Sequence, residues 1–75
     1  MSKQTADSLT FTVKTEKRHI AYANFVVEAY DGIGVIRTAD PEAGILEVLV
    51  SPDFEMEFRR LAEALGKEIP FQIVE

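Results

Sequence analysis

Between Ile33 and Val50 the chain reads IGVIRTADPEAGILEVLV, two runs rich in Ile, Val and Leu joined by Asp40-Pro41-Glu42-Ala43-Gly44. Such runs suit a pleated, half-buried surface, so the stretch predicts a β-hairpin with strands over 33–39 and 45–50. Asp40 is expected to accept from backbone amides ahead of it, and Pro41 presets φ for the second turn position. Gly44 is expected at φ > 0, closing the loop as a bulge. In the second strand Leu46, Val48 and Val50 share one face, while Ile45, Glu47 and Leu49 share the other. The first face is wholly apolar and should meet helices. The second is mixed, and a sheet with such a face left open tends to pair with another copy of itself.

The flanking segments supply those helices. Leu9-Thr10-Phe11-Thr12-Val13-Lys14 alternates with period two, which predicts a strand with Leu9, Phe11 and Val13 facing the core. A helix is expected from about Glu16 to Tyr30, with Thr15 as N-cap and Gly32 of Asp31-Gly32 as a left-handed stop. Ile20, Ala23, Val26, Val27 and Tyr30 fall on one face of it, and Tyr22, Phe25 and Ala29 widen that face past half the circumference. So broad an arc predicts contact with more than the protein's own sheet. Gly34 is expected to mark a bulge or a close backbone approach.

Ser51-Pro52-Asp53 has the form of a helix start: a cap, Pro at the first helical position and an acid favoured by the dipole. Phe54, Phe58, Leu61 and Leu65 make one narrow core stripe. Glu55–Arg59, Arg59–Glu63 and Glu63–Lys67 are i, i+4 pairs on the outer face. Gly66 ends the helix. Ile69 to Val74 is a last strand, which Pro70 assigns to a sheet edge.

The order is β-α-β-β-α-β. Right-handed crossovers and short connections then predict an α+β split β-α-β sandwich with an antiparallel sheet, strand order 4-1-3-2, and both helices on one face. Residues 1–7 are expected to form a disordered tail and residues 8–75 a single domain. A chain of 75 residues buries only about 60% of its unfolded surface, so self-association is a natural supplement to its core. There is no Cys, which excludes disulfides and thiolate metal sites. A net charge of −5 argues against broad binding to nucleic acid. No run approaches the ~18 apolar residues of a membrane span, and the first eight residues lack an apolar signal core, so the cytoplasm is the expected location.

This element order in so short a chain resembles the ferredoxin-like sandwich and, within it, the ACT-type small-molecule sensing domains. The stretch from Glu28 to Leu65, with Tyr30-Asp31-Gly32, the Asp40-Pro41 hairpin and the Ser51-Pro52 helix start, is similar to a family of small bacterial proteins known only as a domain of unknown function. That family implies no activity. The ACT resemblance implies an amino-acid site at the loop after the first strand, where ACT domains usually carry Pro-Gly and this chain has Thr15-Glu16-Lys17.

Lys14, Lys17, Arg18 and His19 gather at the start of the first helix. Cations there oppose the helix dipole, so they read either as an anion site for a carboxylate or phosphate or as a solvated turn softened by Glu16. His19, the only His, is either a pH-sensitive ligand contact or a partly buried edge residue. Asp53, Glu55 and Glu57 fit no calcium loop, and no metal or cofactor is expected. No second His, phosphate-binding Gly loop or activated Ser pattern is present, so no catalytic residue is assigned and an enzyme is not expected. Acylphosphatases share the topology but require a Gly-rich anion loop with an Arg. RNA-binding relatives of the fold require aromatics where this chain has Thr10, Thr12, Ile45, Glu47 and Leu49.

The first expectation is therefore a non-enzymatic binding or self-associating module. Its homodimer contact would lie on the open sheet face (Thr10, Thr12, Ile45, Leu49) or on the flank of the first helix (Tyr22, Phe25). The alternative is a sensor of a small anionic metabolite at Lys14, Lys17, Arg18 and His19.

Overall fold

The structure, a computed structural model, describes residues 8–30 and 33–74. The expected tail at 1–7 and the helix stop at Asp31-Gly32 lie outside the described residues. The described elements are strand β1 (Leu9–Lys14), helix α1 (Ile20–Ala29), strands β2 (Gly34–Asp40) and β3 (Ile45–Val50), helix α2 (Glu55–Leu65) and strand β4 (Gln72–Val74). A single 3-10 turn precedes each helix, at Lys17–His19 and Pro52–Phe54. Neither helix is long and apolar enough to cross a membrane.

The four strands form one antiparallel sheet in the order β2-β3-β1-β4. Alternation sets its two faces. Phe11 and Val13 of β1, Ile36 of β2 and Leu46, Val48 and Val50 of β3 are buried. The register aligns them in rows, with Phe11 and Ile36 both opposite Val48. Ala23 and Val27 of α1 and Phe58, Leu61, Ala62 and Leu65 of α2 join these strand residues in one apolar cluster. Phe58 packs against Phe11 with ring centroids 4.9 Å apart and the rings tilted by 37°, and the Arg59 guanidinium lies 5.1 Å from the centroid of the Phe11 ring. The opposite face, with Thr10, Thr12, Ile45 and Leu49, is exposed or half-buried. Arg37 and Glu47 pair across it at 2.7 Å.

The hairpin is built from the chemistry its sequence carries. Asp40 Oδ1 accepts from the Ala43 amide at 3.2 Å, and the Gly44 amide donates to the Pro41 carbonyl at 3.2 Å. Gly44 has φ 73°, and a Cβ there would sit 2.2 Å from the Thr15 carbonyl oxygen. The register irregularity, however, falls at Thr38/Asp40 rather than at Gly44, so the extra residue is taken up by β2. Gly34 is the site of a close approach: a Cβ there would meet the Leu49 carbonyl oxygen at 2.6 Å.

Both helix starts differ from expectation. Thr15 does not cap α1. Its side chain is turned inward, only 1% exposed, and its hydroxyl donates to the Pro70 carbonyl. Its amide donates to the Gly44 carbonyl at 2.7 Å. Glu16 is therefore held extended (φ −122°, ψ 150°) and the regular helix is delayed to Ile20. Before α2, Ser51 caps the 3-10 turn through its carbonyl, which accepts from the Phe54 amide at 2.8 Å, and not through its hydroxyl, so that Phe54 takes the cap position of α2 itself. The 3-10 turn rotates Phe54 off the core stripe, leaving it 39% exposed, while Ala62 packs inside. Tyr30 likewise leaves the core face because the chain is extended there. The last strand is shorter than expected, Gln72–Val74, because Pro70 has no amide to donate and Phe71 turns into the core.

Candidate functional site

Three surfaces carry the residues singled out in the sequence. The first is the turn before α1. Lys14 Nζ donates to the Ala43 carbonyl and, at 3.4 Å, to that of Thr15. Lys17 pairs with Glu42 of the hairpin loop at 2.8 Å. Arg18 Nε lies 3.2 Å and His19 Nε2 3.7 Å from Glu16 Oε1. The four side chains thus sit in one neighbourhood, yet each faces an acceptor of the chain itself. The His19 and Ile20 amides, which an anion would use, already donate to the Glu16 and Lys17 carbonyls. An incoming anion competes here with Glu16, Glu42 and two backbone carbonyls.

The second surface is α1. Its sequence is IAYANFVVEA, in which only Asn24 and Glu28 are polar. Ala23 and Val27 are buried, and Ile20 and Val26 are partly buried against the same core. On the other side Ala21, Phe25 and Ala29, at i, i+4 and i+8, form a second apolar stripe flanked by Tyr22. Phe25 is 68% and Tyr22 42% exposed. The Tyr22 hydroxyl donates to Glu68 Oε1 at 2.7 Å, which ties the start of α1 to the segment after α2. That hydrogen bond, reinforced by the Glu68 charge, raises the Tyr22 pKa above its ordinary 10.0. The structure therefore separates the six expected interface residues. Tyr22 and Phe25 lie on the helices' side of the sheet, and Thr10, Thr12, Ile45 and Leu49 lie on the far side.

The third surface is a cleft of about 370 Å³ between the residues just after α1, Tyr30 and Ile33, and one face of α2 with the Phe54 that precedes it. Buried Ile33 and Leu61 form its floor. Exposed Tyr30, Phe54 and Ala64 form its walls, and Glu57 and Arg60 stand at its rim. Sequence reasoning missed this site. It assigned Tyr30 and Phe54 to the core, whereas both are exposed on the cleft. Phe54 and, in α2, Glu57, Leu61 and Ala64 do follow helical spacing, but nothing local in the sequence brings Tyr30 across to them.

A protein-family model described as a domain of unknown function (DUF4911) matches residues 13–69. No curated protein and no solved structure matches the chain. The matched span holds α1, the hairpin, α2 and every residue of the cleft.

Proposed function

The chain belongs to this family of unknown function, DUF4911, and on that footing we propose that it is a non-enzymatic module that works by self-association through α1. The observation that carries this reading is a helix that is apolar on both sides. One side fills the core, and the other offers Ala21, Tyr22, Phe25 and Ala29 to solvent. A helix whose apolar arc is this wide, broken only by Asn24 and Glu28, is normally covered on more than one side. The open sheet face is the weaker surface for this role, because the Arg37–Glu47 pair crosses it and would have to be desolvated. Strand order read from the β4 edge is 4-1-3-2, and we read the fold as a ferredoxin-like sandwich with both helices on one face, which leaves α1 free to meet a partner.

The stripe favours a second copy of the same chain. Phe25 is the anchor, and the small Ala21 and Ala29 beside it admit a second helix. Arg18 precedes the stripe and Glu28 stands near its end, so two copies crossing antiparallel set unlike charges against each other. The exposed face of a ten-residue helix is smaller than the roughly 800 Å² per partner of a standard interface, so the dimer is a weak, micromolar one. Sedimentation equilibrium at tens of micromolar should give a dimer mass that falls on dilution. Phe25→Glu should abolish it, and Leu49→Glu should leave it intact. A monomer mass throughout, or a dimer lost with Leu49→Glu and kept with Phe25→Glu, overturns the proposal.

A further inference from the structure

We propose that the cleft between the residues after α1 and the exposed face of α2 binds a small apolar zwitterion, with its ammonium on Glu57, its carboxylate on Arg60 and its hydrocarbon or aromatic group on Ile33 and Leu61. The volume, about 370 Å³, lies at the low end of the roughly 300–1,000 Å³ of small-molecule sites, which suits a single small molecule. The floor and walls are almost wholly apolar: Ile33 and Leu61 below, and Phe54, Ala64 and the Tyr30 ring at the sides. An apolar ligand group entering there displaces water from surface that cannot hydrogen-bond it.

The rim fixes the charge of the occupant. Glu57 and Arg60 have no hydrogen-bond or ion-pair partner among the described residues, in contrast to Lys17, Arg18, Arg37 and Arg59, each held by a carboxylate. A simple anion at Arg60 would meet the Glu57 charge, and a simple cation at Glu57 would meet the guanidinium. A molecule with both charges side by side satisfies the two at once. Three residues apart on a helix, the two side chains start about 5–6 Å from each other, a span bridged by an ammonium and a carboxylate on one carbon. An exposed Glu–Arg pair at this spacing contributes only a few tenths of a kcal/mol, so it offers little competition to a ligand that also buries apolar surface.

Free leucine and phenylalanine are the probes, added at millimolar concentration to the full chain in thermal-shift and calorimetric titrations. At least one should raise the Tm and move the NMR signals of Ile33, Leu61 and Ala64. N-acetylleucine and leucinamide, each lacking one charge, should bind about tenfold or more weaker, as should the Glu57→Gln and Arg60→Gln variants, each missing one charge-assisted hydrogen bond. Both substitutions are on exposed side chains, so the variants should melt as the parent does without ligand. Absence of any shift with either amino acid overturns the proposal. So does equal binding of the capped analogues, equal binding by both variants, or NMR changes confined to residues outside the cleft.

Discussion

At the scale of single residues, Thr15 does more than its position announces. It is the buried polar side chain among the described residues, and it joins three segments: the end of β1, the hairpin loop through Gly44, and the approach to β4 through Pro70. Thr15→Val keeps the shape and removes the hydroxyl, leaving the Pro70 carbonyl unpaired. That should cost about 1–3 kcal/mol in urea unfolding, and a loss below about 0.5 kcal/mol would show that the bond contributes little. Gly44 faces the same contact from the other side. A left-handed φ alone costs a non-Gly residue roughly 1–2 kcal/mol, and here the added Cβ would also strike the Thr15 carbonyl. Gly44→Ala should therefore destabilise by more than about 2 kcal/mol, measured in the same way.

At the scale of elements, the two helices show what was legible and what was not. The strands of the hairpin and β1 could be read because alternation is a local property: each residue's face follows from its neighbours. The α2 stripe of Phe58, Leu61 and Leu65 was legible for the same reason at helical spacing. The helix starts were not. Thr15 was free to cap α1 as far as local sequence could say, but its hydroxyl found the Pro70 carbonyl, 55 positions away. The cleft was hidden by the same kind of distance, since it depends on Tyr30 and Phe54, on either side of the hairpin in sequence, lining one cleft. The helices also predict different responses to truncation. Phe58→Ala empties the centre of the core against Phe11 and should cost about 3–5 kcal/mol, whereas Phe25→Ala should change monomer stability by less than about 0.5 kcal/mol. Between the helices, the Tyr22–Glu68 bond predicts a pH response. The phenol's pKa is raised in the fold, so the bond is fully present below 10.0 and is lost as pH climbs through the raised value. In a Tyr30→Phe background, absorbance titration should place Tyr22 above 10.0, and Glu68→Gln should bring it back down.

At the scale of the whole molecule, the sheet is unequal from edge to edge. β3 and β1 each have a strand on both sides, β2 is a seven-residue edge, and β4 is a three-residue edge paired only with β1. With so few pairs, β4 depends on what holds its ends. Phe71 anchors it in the core just before the strand begins, and the Thr15 hydroxyl grips the carbonyl of Pro70. Local opening follows the cooperative unit with the fewest buried contacts, so β4 should open before the rest of the sheet. Native-state hydrogen exchange should find paired amides of Gln72–Val74 exchanging faster than those of Leu46–Val50. Thr15→Val should widen that gap, accelerating β4 while β2, whose pairing with β3 does not pass through the clasp, keeps its protection relative to global stability. If β4 amides instead exchange only with the central strands, the last strand is part of the same cooperative unit as the core, and its hold comes from Phe71 rather than from the Thr15 contact.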